Sequence, residues 1–316
     1  MNFESERDFT RFLDRNRLIT LFQPIVSAQN LEIIGYEALV RGPSNSPCHS
    51  PQMLFSIAER FGLGLEVEQR CIFNHIEKHS QQGLKGNLFL NLSSRSLSSR
   101  GLDTDRLLIR LQALGIRPQD VVIEITEQHP VDDFVPMISI LNEMRDIGFQ
   151  IAIDDLGAGY SSLRQWSEIQ PDYVKIDGHF IQNIQEDPVK RHFVRSICEI
   201  ANNIGSRVVA EGIETEEELD VVRAMDVDLL QGYLIARPQK KPIRQVAARL
   251  KQFHQQTPPG VNEQQVRSLS KQTLTIPPYS TVSALSESFN RDQSLRIAVV
   301  TEHDKPLGVV TRNSLQ

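Results

Sequence analysis

The sequence predicts an α/β fold: a TIM-like (β/α)8 barrel with an antiparallel first strand, plus a small C-terminal α+β unit. Three observations predict it. Short apolar runs alternate with segments of helical periodicity through the middle of the chain, the pattern of a parallel sheet covered by helices. Ahead of them, two strand-like runs flank a turn signal at Gln29-Asn30, as in a hairpin. Behind them, Gln255-Gln256-Thr257-Pro258-Pro259-Gly260 has the composition of a linker.

The elements follow in order. Phe9, Phe12 and Leu13 have helical spacing, so Glu4 to Arg17 is expected to form a short amphipathic helix. Leu21 to Val26 and Leu31 to Val40 are the two strands of the hairpin. A loop rich in Pro, Ser and Gly spans Gly42 to Pro51, and Gln52–Arg60 and Leu65–His79 read as helices. The strands expected next are Leu88–Asn91, Val121–Glu127, Ile151–Asp155, Tyr173–Asp177, Arg207–Glu214 and Leu229–Tyr233. Helical segments fall between most of them, such as Val135–Ile147, Val189–Ile204 and Glu216–Met225. About eight strands close a barrel of this kind. An open doubly wound sheet fits less well, because no glycine-rich phosphate loop follows the first strand. Beyond the linker, Gln272–Ile276 reads as a strand, Val282–Asn290 as a helix, and Arg296–Thr311 as a hairpin turning at His303-Asp304-Lys305. The expected division is a barrel over 1–254, a linker over 255–270 and a small unit over 271–316.

Composition narrows the function. No apolar run approaches the roughly 20 residues that span a bilayer, and Met1 to Arg17 is charged throughout, unlike a signal peptide. Membrane insertion is therefore not expected. Cys48, Cys71 and Cys198 are odd in number and lack CxxC spacing, so they read as free thiols in a reducing cytoplasm. A net charge of −6 argues against holding long nucleic acid by its backbone. It leaves room for a small phosphate ligand held through cations.

The chemistry lies where the strands end. Ile151-Ala152-Ile153 runs into two adjacent carboxylates, Asp154 and Asp155, followed by Gly157, Gly159, Ser161 and Ser162. Neighbours on a strand point to opposite faces. The two acids converge only if the chain turns after the first, which Gly157 and Gly159 permit; Ser161 and Ser162 can then cap a helix beginning near Leu163. Glu37, Asn91, Glu124, Asp154, Lys175, Glu211 and Gln231 each lie in or at the end of a separate strand. In a barrel those ends meet at one mouth, so one cluster of carboxylates, amides and a lysine is expected. Carboxylates gathered there repel one another unless cations intervene. Oxygen ligands without His or Cys point to Mg²⁺ or Mn²⁺ rather than zinc. Two such ions make a phosphoester hydrolase site. No histidine is assigned a role, and Trp166 is expected in the core.

At this point the chain resembles the EAL-domain family, the cyclic-di-GMP-specific phosphodiesterases. It carries Glu37-Ala38-Leu39, Asn91-Leu92-Ser93, Glu124-Ile125-Thr126-Glu127, Asp154-Asp155-Leu156-Gly157-Ala158-Gly159-Tyr160-Ser161-Ser162, Lys175-Ile176-Asp177, Glu211-Gly212-Ile213-Glu214 and Gln231-Gly232-Tyr233, in the family's order over roughly residues 18 to 250. The resemblance implies metal-dependent hydrolysis of one phosphodiester bond of cyclic-di-GMP to linear pGpG. It implies that Glu37, Asn91, Glu124 and Asp154 hold one metal, with Asp155 on the second, Asp154 near both and Glu211 touching the metal water. Glu211 and Lys175 would be catalytic, the first as general base and the second beside the attacking water. Gln23, Leu39, Arg41, Asp155, Glu214 and Gln231 would meet the substrate, Arg41 toward a phosphate. Glu127 would steady the loop from Asp155 to Ser162, which in the family links the metal site to a dimer interface, so a homodimer is expected. Ca²⁺ is expected to bind and inhibit. Leu156 stands where the family usually has Phe, a packing change between two apolar residues.

Two alternatives stand beside that reading. A receptor that binds cyclic-di-GMP without cleaving it typically loses metal ligands, and none is missing here. An enolase-type barrel would use a lysine base and carboxylate-bound Mg²⁺, but the Asp154-Asp155 pair and the full motif set disfavour it. In the tail, Ile297-Ala298-Val299-Val300 and Pro306-Leu307-Gly308-Val309-Val310-Thr311-Arg312 resemble one CBS motif. Such motifs work as pairs, and the chain stops at Gln316 where a helix would begin. The expectation is a fragment whose second copy, together with a cyclase domain, lies beyond it; with that copy the tail would bind an adenine nucleotide.

Overall fold

Eight strands close into a barrel in the computed structural model, which describes residues 3, 5–15, 18–98, 102–126, 135–156, 162–256, 274–291, 297–302 and 305–311. β1 (Ile19–Ser27) and β2 (Ile33–Arg41) form the expected antiparallel hairpin, with Gln23 opposite Glu37. β3 (Asn87–Ser93), β4 (Val121–Thr126), β5 (Gln150–Leu156), β6 (Tyr173–Ile176), β7 (Arg207–Ala210) and β8 (Leu229–Leu230) continue from β2 in parallel. β8 then closes on β1 antiparallel.

Period-two alternation sorts the side chains. Ile25, Phe89, Val122, Ala152, Tyr173, Val209 and Leu229 point inward and fill the barrel as one apolar layer. Their strand neighbours, among them Leu88, Leu90, Ile123, Ile151, Val174 and Val208, point outward into a larger core beneath the helices. Two residues further toward the mouth, the inward positions are polar. One layer therefore plugs the barrel and the next carries chemistry, as in other closed barrels.

The helices are held by local signals. α1 (Glu6–Arg15) packs Phe9 and Leu13, with Phe3, against α2 (Pro51–Arg60) and α3 (Gly64–Gln82) in a second core. Ser50 caps α2 by accepting from the Met53 N–H. Gly83 ends α3 in the left-handed region. The buried face of α3 carries Glu68, His75 and His79 among its apolar residues. Further on come α4 (Ser94–Ser98), α5 (Thr104–Ala113), α6 (Val135–Ile147), α7 (Ser162–Ile169), α8 (Gly178–Ile181), α9 (Pro188–Ile204), α10 (Glu216–Arg223) and α11 (Ala248–Gln256). Of these, α4, α5, α8 and α11 were not expected, although Asp103, capping the Arg106 N–H, marks the start of α5 plainly.

Two strands are shorter than their apolar runs. β7 stops at Ala210 because Gly212 turns the chain at φ +69°. β8 stops at Leu230, since the next turn brings Gly232 against the backbone of Ile213. No helix among the described residues is long and apolar enough to cross a membrane.

The chain divides into two compact units, Met1–Gly260 and Val261–Gln316. α11 runs two residues into the stretch expected to be linker; residues 257–273 lie outside the described set. The second unit contains β9 (Leu274–Ile276), α12 (Val282–Arg291), β10 (Ile297–Glu302) and β11 (Lys305–Thr311). Its sheet order is β11-β10-β9, with β9 parallel and β11 antiparallel to β10. Leu285 and Phe289 of α12 pack on Ala298, Leu274, Ile276 and Val310. The expected turn residues His303 and Asp304 lie outside the described set.

Candidate active site

Each inward polar residue sits two positions beyond the apolar plug: Asn91 after Phe89, Glu124 after Val122, Asp154 after Ala152, Lys175 after Tyr173, Glu211 after Val209 and Gln231 after Leu229. Gln23 precedes Ile25 because β1 runs the other way. Strand pairing sets Asn91 opposite Glu124 and Gln23 opposite Glu37.

Lys175 is the centre. Its side chain is 1% exposed, and its Nζ lies 2.7 Å from Glu211 Oε1, 2.9 Å from Glu124 Oε1, 3.0 Å from Asp154 Oδ1 and 3.5 Å from Glu37 Oε2. Amides complete the layer. Asn91 Nδ2 donates to Glu37 Oε1 at 2.9 Å, and Gln231 Nε2 donates to Glu37 Oε2 at 2.6 Å and to Gln23 Oε1 at 3.3 Å. Gln23 Nε2 in turn donates to the carbonyl of Ala236 at 3.2 Å.

The adjacent aspartates converge because the chain turns after the first of them, as the sequence predicts. β5 carries a bulge between Ile153 and Leu156, and Asp155 itself adopts φ +53°. A bulge with a left-handed residue re-aims side chains. Asp154 is buried, Asp155 stands at the rim, and the Asp155 N–H donates to Asp154 Oδ1 at 3.1 Å. Gly157 and Gly159, expected to permit that turn, lie outside the described residues, as does Glu127.

The charges do not balance, and the protonation states respond. Burial works to raise the Glu37 carboxyl, but the Lys175 charge and the hydrogen bonds from Gln231 and Asn91 hold it below its ordinary value. Burial raises Glu124, Glu211 and Asp154, more than Lys175 lowers them, with neighbouring carboxylates adding to the shift. Partial burial of the Asp155 carboxyl, with the charge of Asp154, raises it to about 7. Burial opposes the Lys175 ammonium, yet Asp154, Glu124, Glu211 and Glu37 push its pKa well above the usual lysine value. One ammonium cannot satisfy so many acids in a dry site.

The surroundings fit further cations. The buried Glu124 Oε2 and Gln231 Oε1 have no hydrogen-bond partner. Ligand oxygens of Asp154, Asp155 and Glu211 lie within 4.8 Å of one another. Such a set, all oxygen, suits hard divalent ions. Glu37 and Glu124 are drawn instead to Lys175.

Of the other residues expected here, Leu39 and Arg41 are half-buried near the end of β2, where Arg41 Nη1 donates to the Val40 carbonyl at 2.7 Å. Glu214 is exposed, and its N–H donates to Glu218 Oε2 at 2.8 Å. Sequence reasoning missed two buried acids that hold the loops of the mouth. Glu218 accepts from the backbones of Asn183, Glu214 and Thr215; Glu68 accepts from Ser93 and Ser96. For Glu68 the signal was present, a carboxylate inside an apolar helical stripe.

The barrel resembles known proteins in sequence and in fold. The EAL domain profile matches residues 6–238. Cyclic di-GMP phosphodiesterase PdeB of Shewanella oneidensis is 31% identical over 72% of this chain, which spans 27% of that protein. The chain spans about a quarter to a half of the length of curated relatives such as this one. Among solved structures, a standalone EAL protein of Vibrio cholerae O395 with c-di-GMP bound is 28% identical, with TM-score 0.65, over 74% of this chain and 98% of that one. BlrP1 of Klebsiella pneumoniae in a calcium and c-di-GMP complex is 30% identical, with TM-score 0.66, over 74% of this chain and 59% of that one. The same protein also forms a manganese and c-di-GMP complex, 30% identical with TM-score 0.63 over 70% of this chain and 56% of that one.

Proposed function

The chain belongs to the EAL-domain family, and from that membership we propose that its barrel hydrolyses one phosphodiester bond of cyclic-di-GMP to give linear pGpG. The observation that carries the proposal is the polar layer at the barrel mouth. Glu37, Asn91, Glu124, Asp154, Asp155, Lys175, Glu211 and Gln231 stand together there, with acids in excess of their one lysine.

Two Mg²⁺ or Mn²⁺ ions, held by Glu37, Asn91, Glu124, Asp154, Asp155 and Glu211, would supply an acidified water and a clamp on the phosphate oxygens. The protein's own groups do the rest. Glu211 takes the proton of the attacking water, held in place by its 2.7 Å contact with Lys175. Lys175 and Arg41 offset the negative charge that builds on the phosphate oxygens as the P–O3′ bond breaks in line with the attack, the 3′ oxygen taking a proton from solvent. Gln23, Leu39, Glu214 and Gln231 face the rest of the ligand, and Glu127 steadies the loop beyond Asp155. Replacement Asp155→Asn tests the assignment. Ligand binding by calorimetry is expected to persist while turnover falls by most of its value. Near-normal turnover would sink the two-metal reading.

Three finer readings accompany it. The protein is proposed to be cytoplasmic, a reading supported by the free, buried Cys48, Cys71 and Cys198. The barrel is proposed to work as a homodimer through α9, where Val189, Phe193, Ile200 and Ile204 form an exposed apolar stripe. The unit over 271–316, behind a linker at 255–270, is proposed to be a CBS-like motif that takes an adenine nucleotide once paired with a second such motif. Its strand-helix-strand-strand order supports this.

A further inference from the structure

Glu68 lies in the apolar stripe of α3 between Val67 and Cys71, and is 7% exposed. Its carboxylate accepts three hydrogen bonds: from the Ser93 N–H at 2.5 Å, from Ser93 Oγ at 2.8 Å and from Ser96 Oγ. A second contact ties the same two serines, the Ser96 N–H donating to Ser93 Oγ at 3.2 Å. Ser93 is the last residue of β3, and Asn91, two residues before it, donates to Glu37. Leu92 between them is buried in the outer core, which leaves the strand little slack. A carboxylate is costly in such a stripe. An apolar residue there would leave the strand end without its acceptor.

We propose that Glu68 is a positioning residue for the metal site: by clamping Ser93 and Ser96 it fixes the end of β3, and with it the amide of Asn91, at the height where the divalent ion is bound. The inference rests on the phosphodiesterase reading above. Groups that orient metal ligands without touching the metal cost about 10–100-fold in metal affinity or activity when removed.

The test uses the full chain and Mn²⁺ as the probe. Mn²⁺ binding is measured by calorimetry without substrate, turnover of cyclic-di-GMP against Mn²⁺ concentration, and thermal melting without metal. Glu68→Ala is expected to weaken Mn²⁺ binding about tenfold and to shift the turnover midpoint equally, with kcat largely recovered at saturating metal. Glu68→Gln keeps a carbonyl for the Ser93 N–H and an amide that donates to the hydroxyls, so it is expected to restore most of the affinity. A lower melting temperature in Glu68→Ala with wild-type Mn²⁺ affinity would make the clamp merely structural and overturn the proposal. Should Glu68→Ala fail to fold, Ser96→Ala removes one donor to the carboxylate, and Mn²⁺ binding weaker than wild type by less than about tenfold is expected. Unchanged binding there overturns the proposal too. A wild-type protein that binds no Mn²⁺ defeats the underlying metal reading instead, so the two failures are distinct.

Discussion

Asp155 is the residue on which the site turns, because its left-handed backbone and bulge let two consecutive carboxylates serve one mouth. Its carboxyl is raised to about 7 by burial and by Asp154, so protons compete with cations for this group. The sign follows from the direction of the shift. A carboxyl with a raised pKa in the folded state favours the fold below its ordinary value, and that contribution is lost as pH rises through about 7. A divalent ion offsets the loss only where the carboxylate is ionised. Mn²⁺ binding is therefore expected to strengthen from pH 5.5 to pH 7.5 and to release protons at pH 6. Calorimetry in buffers of different ionisation heat reads that release; its absence at pH 6 would contradict the assignment. Most residues of this site were legible in the sequence, since strand ends converge in any closed barrel. What was not legible was that Asp155 itself takes the left-handed conformation. Glycines attract that role, and nothing in the residue type announced that an aspartate would take the left-handed conformation.

At the scale of elements, β7 and the loop after it show how the backbone sets the reach of a side chain. Glu211 follows β7 directly, and Gly212 reverses the chain at φ +69° with a Cβ position 2.9 Å from Gly178 Cα. The loops after β6 and β7 thus cross on two glycines, beside Lys175 and Glu211. Gly212→Ala would cost about 1–2 kcal/mol for the left-handed conformation alone, with the crossing contact added. A lower melting temperature and at least tenfold lower turnover are expected, because the displaced loop carries Glu211. Wild-type turnover in a destabilised Gly212→Ala protein would show that the crossing does not place Glu211. The apolar runs marked these strands well but overran their ends at β7 and β8. Hydrophobicity continues into a turn when the turn is itself buried, as Ile213 is. α5 is less marked in the sequence: its Asp103 cap is plain, but only Leu107 and Leu111 of its ten residues are buried.

For the whole molecule, the barrel's closing hairpin and its alternation with helices were legible because a parallel sheet needs its crossovers. The exposed stripe of α9 was not, since a sequence shows periodicity without saying which face a neighbour covers. If a second copy covers it, Phe193→Glu together with Ile200→Glu is expected to convert a dimer to a monomer in light scattering at tens of micromolar, leaving the fold intact. A wild-type monomer at that concentration, with activity intact, would remove the dimer. The most direct measurement of the central claim is chromatographic assay of cyclic-di-GMP turnover by the full chain in Mn²⁺, in Mg²⁺ and in Ca²⁺, beside a binding assay in each. Ca²⁺ accepts longer bonds and more ligands than Mg²⁺, so it should hold the ligand without completing the site. The expected result is linear pGpG in Mn²⁺ and Mg²⁺, none in Ca²⁺, and binding in all. Intact cyclic-di-GMP after incubation with Mn²⁺ and Mg²⁺, or equal cleavage in Ca²⁺, would contradict it.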